Sequence, residues 1–149
     1  MSGQNSFNVG RDGSQLTIID SIAGKVTFNG MIEFGAKPRT KELESEGING
    51  VTTFRNLPNG HEGDFSFDRQ DSSIEAYFAT LEANFYAGLP PPTAIITQTI
   101  NELSGSVSQY QYTGVALKLS DAGTWKGLDK VSQKVAFRAS KKNPLKIGV

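Results

Sequence analysis

Cysteine is absent from this chain of 149 residues. That excludes disulfide staples, thiolate catalysis and cysteine-ligated metals, so stability has to come from packing or from assembly. Histidine occurs once, as His61 in the segment NLPNGHEGD. A two-histidine metal site is therefore impossible, and any Ser-His-Asp arrangement would rest on this residue alone. The neighbouring Asn, Pro and Gly predict an exposed turn there, and Glu62 and Asp64 lack the ligand spacing of a calcium loop. No run is apolar over the roughly 18 residues that a membrane-spanning helix needs, and the opening MSGQNSFNVGRDG lacks the charged-then-apolar layout of a secretion signal. A soluble protein made in the cytosol is expected. Also missing are the phosphate-cradling patterns GxxxxGKS, GxxxxGKT and GxGxxG and the nucleophile turn GxSxG. Carboxylate pairs such as Asp68/Asp71 have no neighbour that would push their titrations apart. The chain reads as a non-enzyme, with no catalytic, cofactor-binding or metal-binding residue expected.

An excess of charge of either sign is lacking too, since 15 Lys and Arg offset 15 Asp and Glu. Tight binding to nucleic-acid phosphates requires a basic excess and is not expected. Along the chain, however, the signs separate. Residues 42–102 hold ten acidic side chains against Arg55 and Arg69, whereas residues 118–149 hold eight basic ones against Asp121 and Asp129. These are either two solvated faces of one domain or surfaces of opposite sign that meet between subunits.

What is present is alternation. Val26, Phe28, Gly30, Ile32, Phe34 and Ala36 interleave with Lys25, Thr27, Asn29, Met31, Glu33 and Gly35, the period of a strand with one buried face. Val131, Val135, Phe137 and Ala139 likewise interleave with Ser132, Lys134, Ala136 and Arg138. Between Tyr110 and Leu119 the phase of the large residues flips at Thr113-Gly114, which predicts a bulge at Gly114. Shorter strands are expected over residues 16–19, 51–55, 64–68 and 94–101, separated by turns at Asn59-Gly60 and Pro90-Pro91-Pro92. Seven or so strands make one β-sandwich or barrel. Against this rhythm, Ile74, Tyr77, Phe78, Leu81 and Phe85 fall at helical spacing. Ser72-x-x-Glu75 reads as a capping box before them and Gly88 as the stop, predicting a helix over about residues 73–87 whose apolar stripe packs on the sheet.

Residues 37–49, KPRTKELESEGIN, are almost wholly polar and cannot be core. Lys37, Arg39 and Lys41 precede Glu42, Glu44 and Glu46, each set at alternate positions as on one edge of an extended ribbon, so a protruding hairpin over about residues 37–50 is expected, with a mobile surface loop as the alternative.

Taken together, the opening SGQNSFNVGRD, the helix SSIEAYFATLEANFYAG, the following PPPTAIITQTI and the closing run GSVSQYQYTGVALKLSDAGTWKGLDKVSQKVAFRAS resemble the major tail tube proteins of contractile bacteriophage tails. The tube protein of type VI secretion is a relative. The resemblance implies a single tail tube domain over residues 1–149, mainly β, with one packed helix. It implies six copies closing into a ring, and rings stacking into a hollow conduit through which DNA passes without specific binding. The chain itself is then the main partner, beside tail sheath, baseplate or initiator, tape measure and tail terminator proteins. Its location would be the tail of the virion, after assembly in the host cytoplasm. On this likeness the hairpin residues Lys37, Arg39, Lys41, Glu42, Glu44 and Glu46 reach between subunits and rings. Thr27, Asn29, Glu33, Thr97, Thr99 and Asn101 become lumen candidates, while Lys134 and Arg138 would challenge a neutral-to-acidic bore if their face pointed inward. Read from the residues alone, a ligand-binding β-barrel using the Tyr110/Tyr112 face or the helix groove is the alternative; a non-contractile tail or a type VI-like tube is the alternative within the resemblance.

Overall fold

The structure, a computed structural model, describes Gly10, residues 15–21 and 24–26, Phe28 and residues 30–147. Among these lie strands β1 (Gln15–Asp20), β2 (Gly24–Val26), β3 (Met31–Glu46) and β4 (Thr52–Asp68), helix α1 (Ser73–Tyr86), and strands β5 (Ala94–Asn101), β6 (Val107–Asp121), β7 (Ser132–Ala139) and β8 (Lys141–Lys146). Every pairing is antiparallel, in the order β2-β1-β5-β6-β7-β4-β3, with β8 added beside β6. A mainly β fold with one helix is what the alternation predicted.

Strand β6 turns this one ladder into two layers. Its first part runs between β5 and β8, and its second part pairs with β7. The change of partner falls at Gly114, where φ is +64° and the register with β5 slips between Ala94↔Val115 and Ile96↔Tyr112. This is the bulge that the phase flip predicted. A bulge bends its strand, and here the bend lets β6 serve β5 and β8 in the first layer and β7, β4 and β3 in the second.

Between the layers sit Ile18, Ile96, Tyr112 and Val115 from the first and Phe65, Phe67, Val135 and Phe137 from the second, all buried. Phe34 stacks on Phe137 at 5.8 Å and tilts against Phe65 at 5.1 Å, while Tyr112 meets Phe137 edge-on at 5.7 Å. Each such ring, removed from water, contributes roughly 1.5–3 kcal/mol. Phe28, Tyr77 and Phe78 extend the aromatic cluster to α1, which places its buried Ile74 in the same core.

Several local expectations give way to this packing. The alternation across residues 26–36 does not form one strand: β2 ends at Val26, Gly30 turns with φ +86°, and a bulge between Met31 and Glu33 leaves Ile32 59% exposed. Gly30 faces the Asp68 carbonyl so closely that a Cβ would stand 2.2 Å from it, which no side chain survives. The expected strands 51–55 and 64–68 are not separate: residues 52–55 and 64–68 are parts of the single 17-residue β4, which Val51 precedes. Asn59-Gly60 is no turn; it supplies extra residues opposite Pro38–Thr40, with Gly60 at φ +83° where the Ala139 carbonyl approaches. Strand β8, which follows Ser140 directly, has no periodic apolar pattern and was not foreseen.

Helix α1 keeps its predicted bounds within a residue, but Ser72 and Glu75 form no capping box. Ser72 makes no side-chain cap bond, and Asp71 Oδ1 accepts from the Ser73 N–H at 3.0 Å instead. Glu75 is drawn inward: Arg69 donates to it twice, at 2.6 and 3.0 Å, and the buried Gln133 donates from Nε2 at 2.9 Å. The helix does stop at Gly88, φ +80°, with the Leu89 N–H reaching the Asn84 carbonyl and the Gly88 N–H that of Phe85. Ile74, Tyr77, Phe78 and Leu81 face the sheets as expected; Phe85 does not, and is 71% exposed. The last turn stands off the sheet across a groove of about 170 Å³ lined by Phe85, Leu89, Pro90, Pro91, Ala94 and Val115.

Candidate self-assembly surfaces

Strand β4 pairs with β7 only as far as His61↔Ala139, whereas β3 and β4 continue to pair with each other out to Glu46↔Thr52. From Thr40 and Pro58 outward the two strands form a ribbon that no other described strand joins. Its tip is closed by local chemistry: Gly50 takes φ +81°, Asn49 Oδ1 accepts the Val51 N–H at 3.1 Å, and the Gly47 N–H bonds the Val51 carbonyl at 2.8 Å. The expected hairpin is present, but residues 37–50 cover only one of its arms and the tip.

Its charged residues divide by position. At the base, Lys37 and Arg39 lie 3.5 and 3.8 Å from the Glu62 carboxylate. Farther out, Lys41, Glu42, Glu44 and Glu46 stand exposed. The register puts Glu42, Glu44 and Glu46 on one face of the ribbon with Asn56, Phe54 and Thr52, and Lys41 and Leu43 on the other with Leu57 and Arg55. Phe54, beside Glu44, is 75% exposed. In an isolated chain this phenyl ring is bare to water.

The two outward sheet faces differ in character. In the first layer the rows Thr17–Thr97–Gln111–Asn143 and Thr99–Gln109 are uncharged, with Lys141 and Lys146 of β8 at the margin. In the second, Lys37–Glu62–Arg138–Ala116 and Gly35–Asp64–Ala136–Lys118 run across adjacent strands, followed by Glu33–Ser66–Lys134–Asp121. That face is concave, with an open depression of about 580 Å³ floored by small residues such as Ala116 and Ala136. The lumen candidates are thus split: Thr97, Thr99 and Asn101 belong to the first layer, Glu33 to the second, and Thr27 and Asn29 lie outside the described residues.

His61 is not an exposed turn residue but a half-buried member of β4, edge-on to Tyr112 at 6.0 Å. Burial, and then the charge of Lys142, lower its pKa. Tyr112 is wholly buried, and Lys142 Nζ sits 4.4 Å over the Tyr110 ring, so the Tyr110/Tyr112 face offers no open aromatic pocket. Lys142 comes from β8, a strand that composition alone does not announce. At the other end of the core the Tyr77 hydroxyl donates to the buried Asp20 carboxylate, and burial, reinforced by that carboxylate, raises the phenol's pKa far above its ordinary value. Among the described residues no group of three or more His, Asp or Glu is placed to hold a metal ion.

No known family's sequence profile matches the chain, and no curated protein sequence does. Solved structures do. A chain of the sheath–tube complex of an extracellular contractile injection system (PVC) in its extended state superposes with TM-score 0.64 at 8% identity, over 95% of this chain and 94% of that one. A chain of the cap of the anti-feeding prophage, a tube-terminating cap, gives 0.61 at 6% identity over 96% and 94%. The tail of an empty GTA particle gives 0.54 at 9% identity over 94% and 100%. At such identities the likeness is one of fold, and it runs the length of both chains. The protein thus has the tail-tube-like fold found in contractile injection systems.

Proposed function

We propose that this chain is a structural subunit of a tail tube, not an enzyme: six copies close into a ring, and rings stack into a hollow conduit for the genome or another cargo. The observation that carries the reading is the β3–β4 ribbon, which projects past the body with a bare Phe54 and three exposed carboxylates. A two-stranded ribbon has little stability of its own, so a long one that exposes an aromatic ring among charges fits contact with a second chain. The likeness to chains of six-fold symmetric particles supports six copies. A subunit repeated head to tail closes a ring when its rotation closes and forms a filament along the axis when it does not.

We assign the bore to the second layer, because its outward face holds the open depression and two of its strands, β3 and β4, run on into the ribbon. Its cations are interleaved with anions: Arg138 lies across from Glu62, Lys134 is flanked by Ser66 and Asp121, and Lys118 shares a row with Asp64. A polyanion sliding past such a surface meets no continuous basic track. Of the lumen candidates this keeps Glu33 and places Thr97, Thr99 and Asn101 on the other layer. Sheath, baseplate, tape measure and terminator proteins would be its partners in the particle.

Negative-stain microscopy and sedimentation of the purified chain test the reading, with and without replacement of residues 42–56 by Asn-Gly, which removes both distal arms. Rings or tubes are expected from the intact chain, and folded subunits that do not stack from the shortened one. A strictly monomeric intact chain at all concentrations and salts, or normal tubes without the ribbon, would sink it.

A further inference from the structure

The ribbon's acidic face has a counterpart on the same chain. Strand β8, KKNPLK, is exposed along its whole length and joined to the sheet only through β6, so its outer edge is free among the described strands. Register with β6 sets Lys141 opposite Thr113, Asn143 opposite Gln111 and Lys146 opposite Gln109, on the outward face of the first layer, with a register shift between Gln109 and Tyr110. Leu145, beside Lys146, is 55% exposed and Ile147 is bare as well. Lys142 is occupied over Tyr110, and Lys141 and Lys146 make no ion pair among the described residues.

We infer that the Glu42/Glu44/Glu46/Phe54 face of one copy docks on the β8 margin of a second copy. The inference rests on the tube reading and names the receiving surface within it. The two surfaces are opposite in sign and similar in size. Glu42 and Glu46 are about 14 Å apart along an extended strand, and Lys141 and Lys146 about 17 Å, a gap that flexible lysine side chains span. Each pair of charges borders an apolar centre, Phe54 on the ribbon and Leu145 on β8. Opposite charges at the rim set orientation and speed encounter, while the buried apolar centre supplies the persistence of the contact. Because every copy carries both surfaces at separate places, the contact is head to tail and propagates.

The same pairing explains the separation of charge along the chain. The acidic arm and the basic C-terminal strand attract between copies.

Charge reversal tests the docking. E42K/E44K/E46K and K141E/K146E should each raise the concentration needed for assembly by roughly tenfold or more, and their combination should return it to within about threefold of the unaltered chain. Thermal melts would show that each variant is folded. A second measurement uses the absence of cysteine: F54C and L145C copies, differently tagged, are mixed under mild oxidation. A heterodisulfide in clear excess over both homodisulfides is expected. Reversals that leave assembly unchanged, a combination that fails to recover, or a statistical mixture of disulfides would each overturn the inference. If the intact chain forms no rings or tubes yet the heterodisulfide dominates, the tube reading fails and the docking stands. If tubes form without the heterodisulfide, the docking fails alone.

Discussion

Gly114 and Ser140 meet where the chain changes layer: a Cβ added to Gly114 would lie 2.5 Å from the Ser140 hydroxyl oxygen and 2.9 Å from its Cβ. Both halves of the crossover pass through this point, since β6 changes partner beside Gly114 and β7 gives way to β8 at Ser140, whose N–H bonds the Thr113 carbonyl at 2.9 Å.

Gly114→Ala should therefore destabilise the fold. An alanine at φ +64° costs about 1–2 kcal/mol in backbone strain, and displacing Ser140 brings the total to roughly 2–4 kcal/mol. Urea denaturation of the purified chain reads this directly. Adding Ser140→Gly should recover the steric part and leave the backbone part. An unaltered midpoint for Gly114→Ala would show that the crossover is not under this constraint.

The Tyr77 hydroxyl reaches from α1 to the buried Asp20 of β1, tying the helix to the first layer. Tyr77→Phe keeps the ring, with its edge contacts to Phe28 and Phe78, and removes only the donor. A buried carboxylate that loses a donor costs about 1–3 kcal/mol. Tyr77→Phe with Asp20→Asn should cost less than the two single changes added together, which a double-mutant cycle measures; strict additivity would mean that the two groups do not interact.

Much of this architecture was legible because side-chain period reports burial. The runs 94–101 and 132–139 and the helix around Ile74–Leu81 could be located from alternation and helical spacing, and the phase flip at Gly114 located the layer change. What escaped depended on partners distant in sequence. Glu75 looked like a cap residue, but Arg69 and Gln133 give its carboxylate three hydrogen bonds, more than a cap would. Asn59-Gly60 carries a turn signal, yet β3 pairs with β4 on both sides of it, so the two residues become an irregularity within one strand. The hairpin's existence followed from polarity and charge spacing, but its second arm, residues 52–58, was hidden because Phe54 and Leu57 resemble ordinary strand residues. Strand β8 carries three lysines and a proline in six residues, a composition that gives no strand signal at all.

Stability should fall in two steps on acidification. His61 has its pKa lowered from the ordinary 6.5, so the folded state binds its proton less readily than the unfolded chain. Stability then begins to drop as the pH passes below about 6.5, and the loss is complete below the folded pKa. Glu75 is held below its ordinary 4.5, first by the hydrogen bonds from Arg69 and then by that from Gln133. Its contribution is intact above about 4.5 and disappears as the pH falls through the lowered value. Urea midpoints measured across this range should show both steps. His61→Gln should remove the upper step alone; its persistence in that variant would assign it to another group.

Phe54 separates folding from assembly. At 75% exposure it contributes little to the core, so Phe54→Ser should change the stability of the isolated chain by no more than about 0.5 kcal/mol. In an assembled tube the same ring would sit at the centre of a contact ringed by Glu42, Glu44 and Glu46, the position where truncation of an aromatic residue costs about 2 kcal/mol or more. Each 1.4 kcal/mol or so is a factor of ten in an equilibrium constant, so the concentration needed for assembly should rise about thirtyfold. Phe85→Ser provides the comparison, because Phe85 is as bare as Phe54 but lies on the helix, away from the ribbon. Sedimentation of both variants, with melts to confirm folding, distinguishes the two surfaces. Equal effects would mean that loss of surface apolarity in general, and not the ribbon in particular, governs assembly.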